Sequence, residues 1–181
     1  MSSKSAQASY SNTRVILHWL SAAVIIWASI TGFWSSCLAK QSAIRHVFDV
    51  VNPQLTALLI PFFGWRVTLY LRSRPWRTWS QAMPQERLAL LVHGLLYVTV
   101  TTVLLTGLLM MPSPWAFLGI FPILTLGFWH NQLFFIHKES CVGLVGLIAL
   151  HLFAVFYHLC KKHPILSKMR LSSNKYLNIN D

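Results

Sequence analysis

The sequence has little acid. Its 181 residues carry four Asp and Glu against fifteen Lys and Arg, and only 10% of the chain is charged, where a soluble domain is about a quarter charged. Cysteine is also scarce: Cys37, Cys141 and Cys160 are an odd number without a CxxC pair, which excludes a zinc ribbon, a dithiol redox motif and CxxCH attachment of a covalent cofactor. Cys37 and Cys141 fall near one face of the membrane and are read as unrelated helix cysteines. No small-residue cleavage site interrupts the first apolar run, so that run is expected to stay in the mature chain. A basic balance without acids often means nucleic acid. Here the basic residues sit in short clusters between long uncharged runs and form no continuous face, so nucleic-acid binding is set aside.

What is present is apolar length. A bilayer core of about 30 Å needs roughly twenty helical residues. Four segments meet that requirement: Val15 to Ser36, Val50 to Leu71, Leu88 to Met111, and Ile136 to Cys160. The stretch from Pro112 to Ile136 is uncharged too, but its prolines and tryptophans suit an interfacial loop or partial helix better than a fifth span. Charge parity agrees. Lys4 and Arg14 precede the first span, Arg72, Arg74, Arg77 and Arg87 lie between the second and third, and Lys161, Lys162, Lys168, Arg170 and Lys175 follow the fourth. Only Lys40, Arg45 and Lys138 fall on the other side, so the positive-inside rule places both termini in the cytoplasm. The expected architecture is an all-α integral membrane four-helix bundle, N-in and C-in, over residues 1–170 with a cytoplasmic tail at 171–181. No internal repeat or soluble domain is expected.

The chain has eight histidines, several within spans. His18 is on the first span, His93 on the third, and His137, His151 and His158 on the fourth. His46, His130 and His163 fall in loops or at segment ends. Lipid offers a ring nitrogen no water, so such a residue faces the protein interior and is held there. His137 and His151 are separated by about 21 Å of helical rise and only about 40° of rotation. Two imidazoles on one face at that spacing can each ligate one of two stacked haems, which need axial ligands from neighbouring helices and cations near their propionates. Gly143, Gly146 and Ala149 would let a macrocycle or helix approach the fourth span closely. A proton-driven transporter would want acids in its path, yet Asp49, Glu86 and Glu139 all sit at segment ends. Neutral imidazoles ligating iron need none. Arg66, in the second span, reads either as a snorkelling interface anchor or as a partner for a haem propionate, with Arg14 and Arg72 as further candidates.

"RVILHWL" (Arg14 to Leu20), "VHGLLY" opening the third span, "TGLLMM" closing it, "PWAFLGIFPIL" (Pro114 to Leu124), the His137 and His151 pair, and "HPILSKM" (His163 to Met169) resemble the bacterial cytochrome b561 family in that order. The resemblance covers Arg14 to Met169. It implies four transmembrane helices in the bacterial inner membrane, one or two non-covalent b-type haems, and electron exchange with a ubiquinone-type quinone. The electron source would be a periplasmic-side donor, superoxide in one branch. Membrane lipid, a redox partner protein and a second copy of the chain are the other partners it implies. Position by position, it implies that His18 and His151 ligate the haem nearer the cytoplasm and His137 the outer one. His93 and His158 match family histidines near the cytoplasmic end, His158 with Arg72 and Arg74 forming a quinone-side neighbourhood, and Arg66 matches a family arginine.

One position departs. Where the family supplies the outer haem's second histidine, this chain has Asn52, a poor axial ligand. Three arrangements remain open: His46 reaches in, the outer haem is five-coordinate through His137, or that haem is absent. Pro53 suits a first-turn position, so a helix start at Asn52 is expected, with His46 in the preceding loop and His130 a further loop candidate. Rise arithmetic also leaves His18 and His151 at somewhat different depths, a gap that helix tilt could close. The alternatives to an electron carrier are a haem-bearing membrane anchor for a dehydrogenase or hydrogenase and a haem-free, histidine-containing transporter.

Overall fold

The structure is a computed structural model that describes residues 11–73, 79 and 83–161. Four long helices carry it: α1 (Asn12–Cys37), α2 (Ala43–Arg72), α3 (Pro84–Leu109) and α4 (His130–Cys160). All four are long and apolar enough to cross a membrane. A hairpin of β1 (Trp115–Phe117) and β2 (Phe121–Ile123), followed by a short 3-10 turn at Gly127–Trp129, joins α3 to α4. The ends of the bundle thus differ. The hairpin end carries the α1–α2 and α3–α4 connections, and the terminal end carries the start of α1 and the end of α4.

Each helix forms for a local reason. Pro84 sits at the start of α3, where its missing N–H costs nothing, and Glu86 accepts the Met83 N–H at 3.0 Å. Hydroxyls within the spans are satisfied on their own helix: Ser21 donates to the Leu17 carbonyl at 2.6 Å and Thr101 to that of Tyr97 at 2.7 Å. With backbone and hydroxyls paired internally, the helices can show lipid an almost wholly apolar surface. Trp19, Ile30, Phe62, Leu105 and Phe153 make up part of it.

Packing is unequal around the bundle. α1 lies along α2, α3 along α4, and α2 more loosely against α3, whereas the backbones of α1 and α4 scarcely meet. Leu59 and Phe63 of α2, Val100 and Leu104 of α3, and Leu144 of α4 form the buried core, with Val24 and Ile25 of α1 against it. Along every helix this core falls between two polar layers, one at each end of the bundle.

Three sequence expectations need correction. Helix α2 begins at Ala43 and not at Asn52, so Pro53 lies inside it and His46 in its first turns. Pro53 has no N–H for the Asp49 carbonyl, a loss that a membrane helix tolerates; one turn on, the Thr56 hydroxyl reaches the Asn52 carbonyl at 2.8 Å. Helix α4 begins at His130 and not at Ile136, because the 3-10 turn at Gly127–Trp129 feeds directly into it. Gly143 and Gly146 meet no neighbouring helix, since a Cβ at either would find nothing within 4 Å, so the close helix approach expected of them is not made. Helical rotation turns them away from the face shared by His137, Leu144 and His151. The three cysteines are free, Cys37 and Cys141 included.

Candidate functional site

At the terminal end, every helix contributes to one polar layer. Arg66 of α2 donates from Nη2 to His18 Nδ1 of α1 at 2.8 Å. Its guanidinium also lies over the Tyr97 ring at 5.3 Å and near Phe63 at 6.0 Å, and Tyr97 stacks on Tyr70 at 4.3 Å. A cation held against aromatic faces in a low-dielectric span is stabilised without a carboxylate. His93 of α3 and His151 of α4 meet edge to face with ring centroids 5.1 Å apart. Both lie within electrostatic reach of His18, so three imidazoles and one guanidinium share a layer. His18 and His151 thus lie within electrostatic reach of one another, so the depth gap left by rise arithmetic is closed. His18, Arg66 and His151 are half-buried and His93 is exposed.

Hydrogen bonds fix the tautomers. His93 Nδ1 lies 2.8 Å or less from a carbonyl, that of Ala89 at 2.7 Å, so Nδ1 carries the proton and Nε2 keeps its lone pair. That is the form a metal ligand takes. His18 is the reverse: a guanidinium has no acceptor, so Nδ1 accepts and a neutral ring carries its proton on Nε2.

The hairpin end holds the second layer. His137 Nδ1–H donates to the Val103 carbonyl at 3.1 Å and to the Thr106 hydroxyl oxygen at 3.2 Å, while the Cys141 thiol donates to Nε2 at 3.5 Å. The ring lies directly on α3: a Cβ at Gly107 would come within 3.0 Å of His137 Cε1. Across the layer, the Thr31 hydroxyl shares its one hydrogen between the Trp27 carbonyl at 2.7 Å and Asn52 Oδ1 at 2.9 Å, and Ser35 donates to Asp49 Oδ1 at 2.7 Å. Arg45 pairs with Asp49 at 3.4 Å and donates to the Leu38 carbonyl at 2.9 Å. Gln54 ties the hairpin to α2, donating to the Ala116 carbonyl at 3.2 Å and accepting the Leu118 N–H at 2.8 Å.

The sequence-derived candidates therefore separate into groups. His18, Arg66, His93 and His151 come together. His137 lies in the other layer. His46 is exposed and, on the same helix as Asn52, is rotated by about 240° from it, so it does not reach that position. His130 is likewise exposed, its Nδ1–H donating to the Met110 carbonyl at 2.8 Å. The side chain of His158, together with Arg74, His163 and the tail at 171–181, lies outside the described residues. Tyr97 was missed although "VHGLLY" contains it; its spacing of one helical turn from His93 was the available signal. Among the described residues no three His, Cys, Asp or Glu side chains cluster as a mononuclear metal site. A haem needs no such cluster, only imidazoles on facing helices and a gap between them. His18 and His151 are half-buried imidazoles within electrostatic reach of one another on α1 and α4, the two helices whose backbones scarcely meet.

The family model described as prokaryotic cytochrome b561 matches residues 9–170. No curated protein and no solved structure matches.

Proposed function

The chain belongs to the prokaryotic cytochrome b561 family, and from that premise we propose that it passes single electrons between a redox partner and membrane quinone, using haem b held by His18 and His151. Family membership makes it a membrane b-type cytochrome of electron transfer, and members of the family bind haem b. When bound, haem supplies the one-electron chemistry, and the protein sets its potential by ligand identity, burial and nearby charge.

The observation that carries this reading is the convergence of His18, Arg66, His93 and His151 in one layer across all four helices. His18 and His151 belong to α1 and α4, whose backbones scarcely meet. His93 touches His151 edge to face, which leaves no room for iron between those two rings. Arg66 supplies the cation for a propionate, and for His18 to ligate through Nε2 its proton must move to Nδ1, so Arg66 has to give up its present contact. The abundance of Arg and Lys around the terminal end supports a cytoplasmic position for this layer in the inner membrane. There, a ubiquinone-type quinone reaches the bundle laterally from lipid. Superoxide and other periplasmic-side donors follow from family resemblance.

A second reading is a haem-bearing anchor for a partner dehydrogenase or hydrogenase. The hairpin favours it: Leu118, Ile120, Phe121 and Phe128 are exposed on a folded element fastened to α2 by Gln54. Anaerobic mixing of the dithionite-reduced protein with a short-chain ubiquinone separates the two. Rapid reoxidation of the b-type α-band supports direct quinone exchange; a haem that stays reduced until a partner enzyme is added overturns it.

A further inference from the structure

We infer that this chain holds one haem, in the His18 layer, and that its hairpin-end layer is a closed hydrogen-bonded packing layer in place of a second haem site. The inference rests on the haem-binding reading above.

The two layers differ in each property a bis-imidazole site requires. The first is the donor set. The terminal end brings together His18, His93 and His151, whereas at the hairpin end, among the described residues, no second half-buried imidazole accompanies His137, and the polar side chains bonded between α1 and α2 are Thr31, Ser35, Asp49 and Asn52. None of those four side chains offers a nitrogen lone pair to iron, and Asn52 Oδ1 is already an acceptor for Thr31. The other hairpin-end imidazoles, His46 and His130, are exposed on the bundle surface.

The second property is the hydrogen bonding around the candidates; the candidates themselves, His18, His151, His137 and Asn52, are all half-buried. At the hairpin end Thr31, Ser35, Thr106 and Thr125 are all buried, and each holds a hydrogen bond. Among the described residues no buried side-chain nitrogen or oxygen lacks a partner, so nothing in this layer calls for a further ligand. His137 is wedged against Gly107, with Cys141 Sγ 3.5 Å from the one nitrogen that would have to face iron. Iron at His137 Nε2 would have to displace the Cys141 thiol, while the Nδ1–H bonds to Val103 and Thr106 could stay. No second imidazole offsets that loss.

The consequence concerns electron flow. Between the layers lies the apolar core of Leu59, Phe63, Val100, Leu104 and Leu144, which carries no redox group. With one haem below it, electrons from a hairpin-end donor would have to cross this core in one step, without a second haem between.

Pyridine haemochromogen quantification per polypeptide tests this, on the full chain purified from cells given ample haem precursor. About one haem per chain, unchanged in His137→Ala and lost in His151→Ala, is the expected result. Two per chain, or a loss of half the haem in His137→Ala, would overturn it. A chain without haem would instead remove the haem-binding reading, and the inference with it. Because His137→Ala can fail through misfolding, the EPR spectrum of the oxidised wild-type protein provides a variant-free check. One low-spin bis-imidazole species supports a single haem, and two distinct species contradict it.

Discussion

Arg66 Nη2 lies 2.8 Å from His18 Nδ1, bridging α1 and α2 in the layer where all four helices place polar side chains. A guanidinium stays protonated at any accessible pH, so this is a fixed positive charge beside a ligand candidate. It stabilises the reduced, less positive state of a neighbouring haem. Substituting Arg66→Gln removes the charge, and the midpoint potential is expected to fall. At an effective dielectric near 20 a unit charge several ångströms away is worth about 1–2 kcal/mol, or tens of millivolts for one electron. Redox titration of the α-band checks this. An unchanged potential would mean that Arg66 serves only as an interface anchor.

His93 presents an unprotonated Nε2 yet touches His151 edge to face. If His18 and His151 are the ligand pair, His93→Ala retains a low-spin haem with its content unchanged. The low-temperature α-band should shift slightly as His151 loses its neighbour. Loss of the low-spin spectrum would make His93 the ligand instead.

Gly107 is the tightest glycine facing a site residue, because a Cβ there meets His137 Cε1 at 3.0 Å. Gly107→Ala must push the imidazole off α3, weakening its bonds to Val103 and Thr106. Overpacking of this kind costs about 1–3 kcal/mol. Thermal unfolding in detergent should show a Tm lower by several degrees, with the haem spectrum intact. A simultaneous spectral change would show that His137 ligates iron.

Leu118 adopts φ 54°, and Gly119 beside it φ 71°, in the hairpin turn that Gln54 holds. A leucine in the left-handed region costs roughly 1 kcal/mol, so Leu118→Gly should stabilise the hairpin. Gln54→Ala removes both hydrogen bonds and should do the opposite. Amide hydrogen exchange at 115–123 reads the two effects, slower in the first variant and faster in the second.

The spans were legible because lipid demands long apolar runs, and no other force in this chain competes with that requirement. Their ends were not. Pro53 carries the signature of a helix start, but α2 runs through it from Ala43, since a membrane helix tolerates an interior proline. The sequence from Pro112 to Trp129 shows its prolines plainly, while its hairpin depends on a contact with Gln54, far away in the chain. In the site, the histidines were visible singly and their grouping was not: nothing in the spacing of His18, Arg66 and His93 reports that α1, α2 and α3 bring them to one depth. The asparagine at position 52 stood out as a missing histidine, and its bond to Thr31 became apparent only in three dimensions.

The central claim is that His18 and His151 clasp a b-type haem, and the reduced-minus-oxidised spectrum of the wild-type protein beside His18→Ala and His151→Ala tests it most directly. A low-spin b-type α-band in the wild type that disappears in each variant is the predicted result. An α-band that survives both substitutions, or a folded wild-type protein that remains colourless with haem in full supply, would contradict it.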